Sequence, residues 1–238
     1  MLISGLQKLT LLDYPGKVAC TVFTPGCNLR CPFCHNAPLV LPELVGQDTD
    51  EEQVLSFLRK RQGVLDGVAI TGGEPLLQSA FVFELIRALH AEGFHTAIDT
   101  AGFAPYEHLK AVADQCDRVL YDVKSMDDAV HRSYIGVSNR QILDNLCRLA
   151  DSDAEVIVRV PLIHNVNDSA ENITRTAELA AAHGIREIDL IPFHRLGESK
   201  YAVIQQPYTM PDTTVPQEHI DALAALLRQR GFIVSIGG

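Results

Sequence analysis

Three cysteines lie close together in the N-terminal part of the sequence. Residues 26–36 read GCNLRCPFCHN, so Cys27, Cys31 and Cys34 have the spacing C-x3-C followed by C-x2-C. Thiolates are soft ligands that bind zinc, copper(I) and iron–sulfur clusters. A structural zinc site takes four protein ligands, whereas three thiolates can hold a cubane cluster and leave one iron open to another ligand. The spacing favours an iron–sulfur cluster; a zinc site using the adjoining His35, or buried free thiols, are the alternatives.

Polar residues and glycines follow several predicted strands directly. Residues 71–74 read TGGE, and Asp99-Thr100, Asp122-Val123-Lys124 and His194 have similar positions after later strands. The carboxyl ends of parallel strands meet at one edge, where the loops of α/β proteins build active sites. Polar residues also end strands wherever a loop begins, but their repetition favours one shared site.

The elements that must position these residues alternate between strands and helices. Short runs rich in β-branched residues predict strands, and longer amphipathic stretches between them predict helices. Gly93, Gly184 and Gly231 follow such helices, where a left-handed residue commonly ends the helix. The alternation predicts one parallel sheet covered by helices. The predicted strands are 18–23, 67–70, 95–99, 118–122, 155–163, 187–191 and 232–235, and the helices are 50–61, 78–91, 106–115, 140–150, 171–183 and 218–230.

Composition excludes several classes of protein. The 238 residues are 47% hydrophobic and 21% charged, which excludes a disordered chain and a small disulfide scaffold. A formal net charge of −10 disfavours nucleic-acid binding through a broad basic surface. Since we find no long apolar run, signal peptide, repeat or linker, we expect one domain over residues 1–238, no membrane partner and a cytoplasmic location.

The cysteine motif, with Phe33 before its last cysteine, resembles the signature of the radical S-adenosylmethionine superfamily. Gly72-Gly73-Glu74-Pro75, after the next strand, is similar to a second motif of that superfamily. The resemblance implies a partial β/α barrel, usually of six strands. It also implies one 4Fe–4S cluster whose open iron is chelated by S-adenosylmethionine. Reductive cleavage of that cofactor yields methionine and a 5′-deoxyadenosyl radical.

Further motifs resemble the activating enzymes of glycyl radical enzymes. Residues 121–139 and 191–201, the second reading IPFHRLGESKY, are similar to pyruvate formate-lyase activating enzymes. Residues 9–36 are more similar to activators of anaerobic ribonucleotide reductase. Both kinds of enzyme remove a hydrogen atom from a glycine of a partner enzyme. We expect a pyruvate formate-lyase-like partner; a ribonucleotide reductase or a small-molecule substrate are the alternatives.

The resemblance also implies roles for individual residues. Asp99, Thr100 and Asp122 are expected to hold a monovalent cation, although Ala101 departs from the asparagine of the family's DTNG motif. Asp13 is expected to approach the substrate loop, although Tyr14 departs from the second residue of the family's DGPG motif. The radical forms on the bound cofactor, so no side chain is expected to be catalytic itself. Expected contacts of S-adenosylmethionine are Phe33, Cys34, His35, Gly72, Gly73, Glu74, Asp122, Val123, Lys124 and His194.

The segment after the cysteine motif indicates how the electron arrives. Some activating enzymes carry a ferredoxin-like insert with further cysteines between the cysteine motif and the glycine motif. No cysteine lies between Cys34 and Gly72 in this sequence. We therefore expect a single cluster and an external flavodoxin or ferredoxin as electron donor. We also expect a monomer that associates transiently with the glycyl radical enzyme.

Overall fold

The computed structural model describes residues 3–41 and 49–237. Within them, eight strands form one sheet in chain order. All the predicted strands are present, with ends shifted by at most two residues. The strands are β1 (Gly5–Thr10), β2 (Ala19–Thr24), β3 (Gly67–Gly72), β4 (His95–Thr100), β5 (Arg118–Asp122), β6 (Val156–Leu162), β7 (Glu187–Pro192) and β8 (Ile233–Ile236).

The first strand, β1, was not predicted from the sequence. It runs antiparallel to β2, whereas the later neighbouring strands, from β2–β3 to β7–β8, pair in parallel. The connection over residues 11–18 is too short for the crossover of a dozen or more residues that a parallel pair needs. The seven predicted strands therefore form the parallel part of the sheet, one more than is usual in the resembled family, and β1 adds an antiparallel edge strand.

The sheet curves around a cavity on its inner face. Side chains from seven successive strands line this one cavity, which a flat sheet would not allow. β1 and β8 are the two edges of the sheet. The architecture is therefore the expected partial β/α barrel, open between its first and last strands. One lining residue from each strand, β1 to β7, is Gln7, Phe23, Thr71, Asp99, Asp122, Arg159 and Ile191.

Helices cover the outer face of the sheet and bury the main hydrophobic core against it. The six predicted helices are present, and Gly93, Gly184 and Gly231 have the expected positive φ. Two short helices, α4 and α7, were not predicted from the sequence. The helices are α1 (Glu51–Arg59), α2 (Ser79–Ala91), α3 (Tyr106–Ala113), α4 (Asp128–Ile135), α5 (Arg140–Ala150), α6 (Ala170–Ala182), α7 (Glu198–Val203) and α8 (Gln217–Gln229).

Helix α4 illustrates how local sequence sets the boundaries of an element. The Asp127 carboxylate accepts hydrogen bonds from the amides of Ala129 and Val130, which satisfies the first free donors of the helix. Gly136, at φ +88°, ends it in the left-handed conformation. The helix then passes the cysteine loop, because the carbonyl of Ile135 accepts from the amide of Arg30 at 3.0 Å. Among the described helices, none is long and apolar enough to cross a membrane.

Candidate active site at the cysteine loop

The cavity on the inner face of the sheet has a volume of about 340 Å³. It is bounded by the cysteine loop and by the carboxyl-end loops of the parallel strands. Every predicted site residue except Val123 and His194 lines it. These residues are Asp13, Cys27, Cys31, Phe33, Cys34, His35, Gly72, Gly73, Glu74, Asp99, Thr100, Asp122 and Lys124.

The cysteine loop is held by backbone hydrogen bonds. The amide of Gly26 donates to the carbonyl of Leu39 at 2.7 Å, and the amide of Cys34 donates to the carbonyl of Cys31 at 3.2 Å. Two sulfur atoms also accept from amides, Cys27 Sγ from Leu29 and Cys34 Sγ from Asn36, each at 3.4 Å. Amide hydrogen bonds to sulfur stabilise the thiolate form and tune a cluster bound to it.

Burial keeps the three thiols protonated when they bind no metal. It raises the pKa of Cys27 to about 11 and that of Cys31 to about 12, and it also raises the pKa of Cys34. The ammonium group of Lys124 opposes this rise at all three cysteines. Metal binding requires thiolates, so binding a metal here must release protons from the three thiols. The positive charge of Lys124 then stabilises the thiolates.

The donor set fits a cluster better than a single ion. In the part of the chain that the structure describes, no three His, Cys, Asp or Glu side chains converge closely enough to hold one metal ion. A zinc ion would need its thiolates about 2.3 Å away on all sides. Three thiols around the wall of a larger cavity instead suit a group with several metal atoms.

The glycine pair after β3 allows the backbone to pass close to the cysteine loop. A Cβ atom on Gly73 would lie 1.9 Å from the carbonyl oxygen of Gly26, and one on Gly72 would lie 2.1 Å from that of Thr24. The Gly73 amide donates to the carbonyl of Thr24 at 2.9 Å, and the Glu74 amide donates to the carbonyl of Gly26 at 2.8 Å. The glycines thus join the β3 turn to the loop that carries Cys27.

Glu74 connects this turn to the end of β4. Its carboxylate accepts from the hydroxyl of Thr100 at 2.5 Å and from the amides of Leu76 and Ala101 at 3.1 and 2.9 Å. The side chain is 1% exposed, and burial raises its pKa to about 6 despite these three donors. Glu74 therefore holds the β3 turn against the end of β4 at the cavity wall.

Charged side chains of opposite sign face each other across β4, β5 and β6. Lys124 Nζ donates to Asp122 Oδ2 at 2.7 Å, and Arg159 Nη1 lies 3.3 Å from Asp99 Oδ2. Burial disfavours the charge on Lys124, but Asp122, Cys31 and Asp99 together outweigh this effect and raise the lysine pKa. Burial likewise raises the pKa of Asp99, and Arg159 opposes that rise.

Two buried polar atoms of these charged side chains make no hydrogen bond within the described residues. Asp122 Oδ1 and Arg159 Nε have no hydrogen-bond partner within the described chain, and they lie 3.8 Å apart. A buried polar atom without a partner costs free energy unless a ligand or water satisfies it. One acceptor and one donor on the cavity wall suit a ligand that carries both a cationic and an anionic group.

The residues predicted to hold a monovalent cation already have protein partners. The Thr100 hydroxyl donates to Glu74 and accepts from the amide of Gly102 at 2.9 Å. The guanidinium of Arg159 lies beside both Asp99 and Asp122 and supplies positive charge there. In this arrangement Arg159 and Lys124 together neutralise the two carboxylates.

Aromatic and apolar side chains form another part of the cavity wall. Phe33 is 8% exposed and belongs to a cluster with Leu29, Ala101, Ile163 and Phe193. These five residues line the cavity, so one side of it excludes water.

His35 lines the cavity, whereas His194 lies outside it. The two rings stack with centroids 4.1 Å apart, and His35 Nε2 donates to the carbonyl of His194 at 2.9 Å. Burial, and then the neighbouring His194, lower the pKa of His35. His194 is exposed, so the structure connects it to the cavity through His35.

Val123 is buried in the core, whereas Asp13 faces the cavity. Val123 is 1% exposed and packs in the main core, so only its backbone lies near the site. Asp13 reaches the cavity from the connection between β1 and β2, and its carboxylate accepts from the hydroxyl of Thr21 at 2.6 Å.

Some cavity residues were missed or left undecided by the sequence. Gln7 lies on β1, which has only a weak alternation of polar and apolar residues. For Arg159, a position in a predicted strand is compatible with either a salt-bridge partner or a cofactor contact. Its position opposite Asp122 in the β5–β6 register was the available signal, but it required knowing how the strands pair.

Comparisons with known proteins identify the family. The sequence profile of the Radical SAM superfamily matches residues 21–180. The chain is 37% identical to the (2S)-3-sulfopropanediol dehydratase activating enzyme of Klebsiella oxytoca, over 99% of this chain and 96% of that enzyme. It is 32% identical to the pyruvate formate-lyase-activating enzyme of Clostridium pasteurianum, over 88% and 89% of the two chains.

A solved structure supports the same relationship. A domain of the pyruvate-formate lyase-activating enzyme from Bacteroides vulgatus superposes with a TM-score of 0.61 at 34% identity, covering 72% of this chain and 99% of that domain. The superfamily match implies a 4Fe–4S cluster and S-adenosylmethionine, for which the three cysteines and the cavity are suited. The chain therefore belongs to the radical SAM superfamily and, within it, to the activating enzymes of glycyl radical enzymes.

Proposed function

We propose that this protein activates a pyruvate formate-lyase-like enzyme by removing one hydrogen atom from the Cα of a glycine in that partner. The observation that carries the proposal is the placement of three thiols, a glycine turn and the Asp122–Lys124–Arg159 charge group around one cavity. The activating enzymes at 37% and 32% identity support the same reaction.

The bound cluster and S-adenosylmethionine supply a 5′-deoxyadenosyl radical by one-electron reductive cleavage. In the net reaction, one S-adenosylmethionine, one electron and one glycine Cα–H bond would be consumed. The S–C5′ bond of the cofactor would break, the glycine hydrogen would pass to the 5′ carbon, and methionine, 5′-deoxyadenosine and a glycyl radical would be formed. Cys27, Cys31 and Cys34 hold the cluster, and Lys124 lowers the cost of their negative charge. The apolar wall with Phe33 keeps water away from the reacting atoms.

The charge group orients S-adenosylmethionine in this proposal. Asp122 Oδ1 accepts from its amino group or a ribose hydroxyl, and Arg159 donates to its carboxylate. The unpartnered state of Asp122 Oδ1 and Arg159 Nε within the described residues supports these roles. The pocket is completed by Gly72, Gly73, Phe33, His35 and the backbone of Val123. Glu74 holds the β3 turn in place at the cavity wall, and His194 supports the pocket through its contact with His35.

Asp13 contacts the glycine segment of the partner in this proposal. Its carboxylate enters the same cavity as the cysteines, but from the connection between β1 and β2. A partner segment would therefore reach it through the open side of the partial barrel. The glycine must first leave the interior of its own enzyme, so we propose a transient complex.

Further properties complete the proposal. The protein acts as a cytoplasmic monomer and a single domain without a ferredoxin-like insert, and a flavodoxin or ferredoxin supplies the electron. A monovalent cation at Asp99, Thr100 and Asp122 would have to share these oxygens with Arg159 and Glu74. We therefore propose that any such cation binds only together with S-adenosylmethionine.

The test is radical formation on a partner. The anaerobically reconstituted protein is mixed with S-adenosylmethionine, reduced flavodoxin and one candidate partner, and electron paramagnetic resonance records a glycyl radical. The candidates are a pyruvate formate-lyase, a glycyl radical dehydratase and an anaerobic ribonucleotide reductase, the last because residues 9–36 resemble its activators. A signal with the pyruvate formate-lyase alone supports the proposal as stated.

Other outcomes would change the proposal. A signal only with the ribonucleotide reductase would keep the reaction and replace the partner. Reductive cleavage of S-adenosylmethionine without a radical on any candidate would favour a small-molecule substrate.

A further inference from the structure

The connection between β1 and β2 closes the end of the barrel opposite the cysteine loop. Tyr14 Oη donates to the carbonyl of Thr96 at 3.1 Å and contacts His95 Nδ1, at the start of β4. A Cβ atom on Gly67, the first residue of β3, would lie 3.0 Å from the Tyr14 ring. Arg118, the first residue of β5, donates to the carbonyl of Pro15 at 3.4 Å. The connection therefore crosses the amino ends of three successive strands.

Tyr14 fills the inside of this barrel end. Its side chain is fully buried, and the residues around it come from β2 through β6. Three of these five neighbours are alanines, which leave the room that an aromatic ring needs. The neighbours are Ala19, Ala69, Ala97, Leu120 and Ile157.

The residues on both sides of Tyr14 are fixed as well. Tyr14 begins a tight turn, because the amide of Lys17 donates to its carbonyl at 3.1 Å and Gly16 has φ +76°. A type II turn requires a positive φ at its third position, where Gly16 lies, and commonly has proline at its second position, where Pro15 lies. On the other side, the amide of Asp13 donates to the hydroxyl of Thr10 at 3.0 Å.

Within the connection between β1 and β2, whose position these contacts fix, Asp13 is the residue that lines the cavity. Its carboxylate accepts from Thr21 and lines the cavity with the cysteines. We infer that Tyr14 is a positioning residue, whose ring, seated in the end of the barrel, sets where the Asp13 carboxylate lies. The inference rests on the proposed function in one respect, namely that Asp13 contacts the glycine segment of the partner.

A purely structural role for Tyr14 would give different consequences. Loss of a buried ring lowers stability wherever the ring lies, so a matched variant must remove similar packing without touching Asp13. Leu223→Ala is that control, because Leu223 on α8 is 2% exposed in the main core and is not among the residues around Tyr14. Tyr14→Leu removes the ring, while Tyr14→Phe keeps the ring and removes only the contacts with His95 and Thr96.

The first measurement does not require any partner. Hydrogen–deuterium exchange of the reconstituted protein is followed in the segment 11–17. We expect Tyr14→Leu to speed exchange there by about tenfold, the equivalent of one lost anchoring interaction, and Leu223→Ala to leave it near the wild-type rate. Equal exchange in Tyr14→Leu and Leu223→Ala would overturn the inference, whether or not the proposed function holds.

The second measurement tests coupling between the two residues. The probe is a fluorescent peptide with the radical-site glycine segment of a pyruvate formate-lyase, and its Kd is measured by anisotropy with S-adenosylmethionine and no reductant. We expect Asp13→Asn and Tyr14→Leu each to weaken binding about tenfold, and the double variant to be no weaker than either. Additive losses would overturn the inference.

Tyr14→Phe keeps the test decisive if Tyr14→Leu does not fold. It should weaken peptide binding about threefold, and the loss should vanish in the Asp13→Asn background. A threefold loss that persists there would contradict positioning through Asp13. If the wild-type protein binds no glycine peptide at all, the proposed role of Asp13 fails, and hydrogen exchange alone decides whether Tyr14 fixes its place.

Discussion

Individual side chains in the cavity carry charges that burial makes costly. Asp99, Asp122, Lys124 and Arg159 compensate one another within about 4 Å, which is how buried charges persist in proteins. The three thiols have raised pKa values beside this group. At the residue scale, the cavity wall therefore suits a ligand with charged groups.

The cluster ligands can be tested one at a time. We expect Cys27→Ala, Cys31→Ala and Cys34→Ala each to retain less than about a tenth of the wild-type iron, because losing a direct ligand costs at least as much as losing a residue that supports one. Cys116→Ala and Cys147→Ala are the matched controls, since neither residue lines the cavity. Iron and sulfide analysis after anaerobic reconstitution measures the effect; normal iron in one of the first three variants would remove that cysteine from the ligand set.

Glu74 should make stability depend on pH. Its folded pKa of about 6 lies above the usual value of 4.5, so the fold favours the protonated form, and this contribution is lost as pH rises through 6. Between pH 4 and pH 8 the free energy of unfolding should fall by up to about 2 kcal/mol relative to Glu74→Gln, which cannot ionise. Urea unfolding of both iron-free proteins measures this; parallel pH profiles would show that Glu74 does not titrate as described.

At the scale of elements, the site depends on the contact between the β3 turn and the cysteine loop. The amides of Gly73 and Glu74 donate to carbonyls of the segment that leads from β2 to Cys27. Glu74 then connects the turn to the end of β4 through Thr100 and Ala101. Three strand ends are therefore coupled before any ligand binds.

A single methyl group should break this coupling. Gly73→Ala places a Cβ atom 1.9 Å from the Gly26 carbonyl oxygen, so the cysteine loop must move, at a cost of about 1–3 kcal/mol. Iron content and melting temperature should both fall. The control is Gly184→Ala, which meets nothing within 4 Å; it should lower stability by about 1 kcal/mol through its positive φ and keep its iron. Full iron in Gly73→Ala would mean that the loop adapts.

At the scale of the whole molecule, the curved sheet separates two ends with different tasks. The carboxyl ends of the strands meet the cysteine loop, while Tyr14 fills the amino ends. The edges β1 and β8 leave the side of the barrel open between them. A macromolecular partner can thus approach Asp13 without displacing the cysteine loop.

The molecule should bind one cluster. The cysteines outside the motif are separate from one another: Cys20 is buried in β2, Cys116 precedes β5, and Cys147 lies on α5. Reconstitution should therefore end at about four iron and four sulfide per chain. Removal of the iron by a chelator should abolish cleavage of S-adenosylmethionine. About eight or twelve iron atoms per chain, with matching sulfide, would reveal additional clusters.

Much of this protein can be predicted from its sequence because the signals are local. Strand runs such as 155–163 follow from β-branched residues, and the helix ends at Gly93 and Gly184 follow from the conformational freedom of glycine. Cys27, Cys31 and Cys34 reveal their chemistry by type and spacing within one short loop. Each of these inferences depends on residues that are neighbours in the chain.

Tertiary structure decided the features that depend on distant residues. β1 is a strand because it pairs with β2, and its own short sequence shows only a weak pattern. Arg159 became part of the site because its register places it opposite Asp122, and Val123 left it because successive strand residues face opposite sides of a sheet. The Tyr14 side chain is buried because the curvature of the sheet brings five strands around it. Local chemistry can be predicted from neighbouring residues, but pairing, register and curvature arise from contacts between residues far apart in the chain.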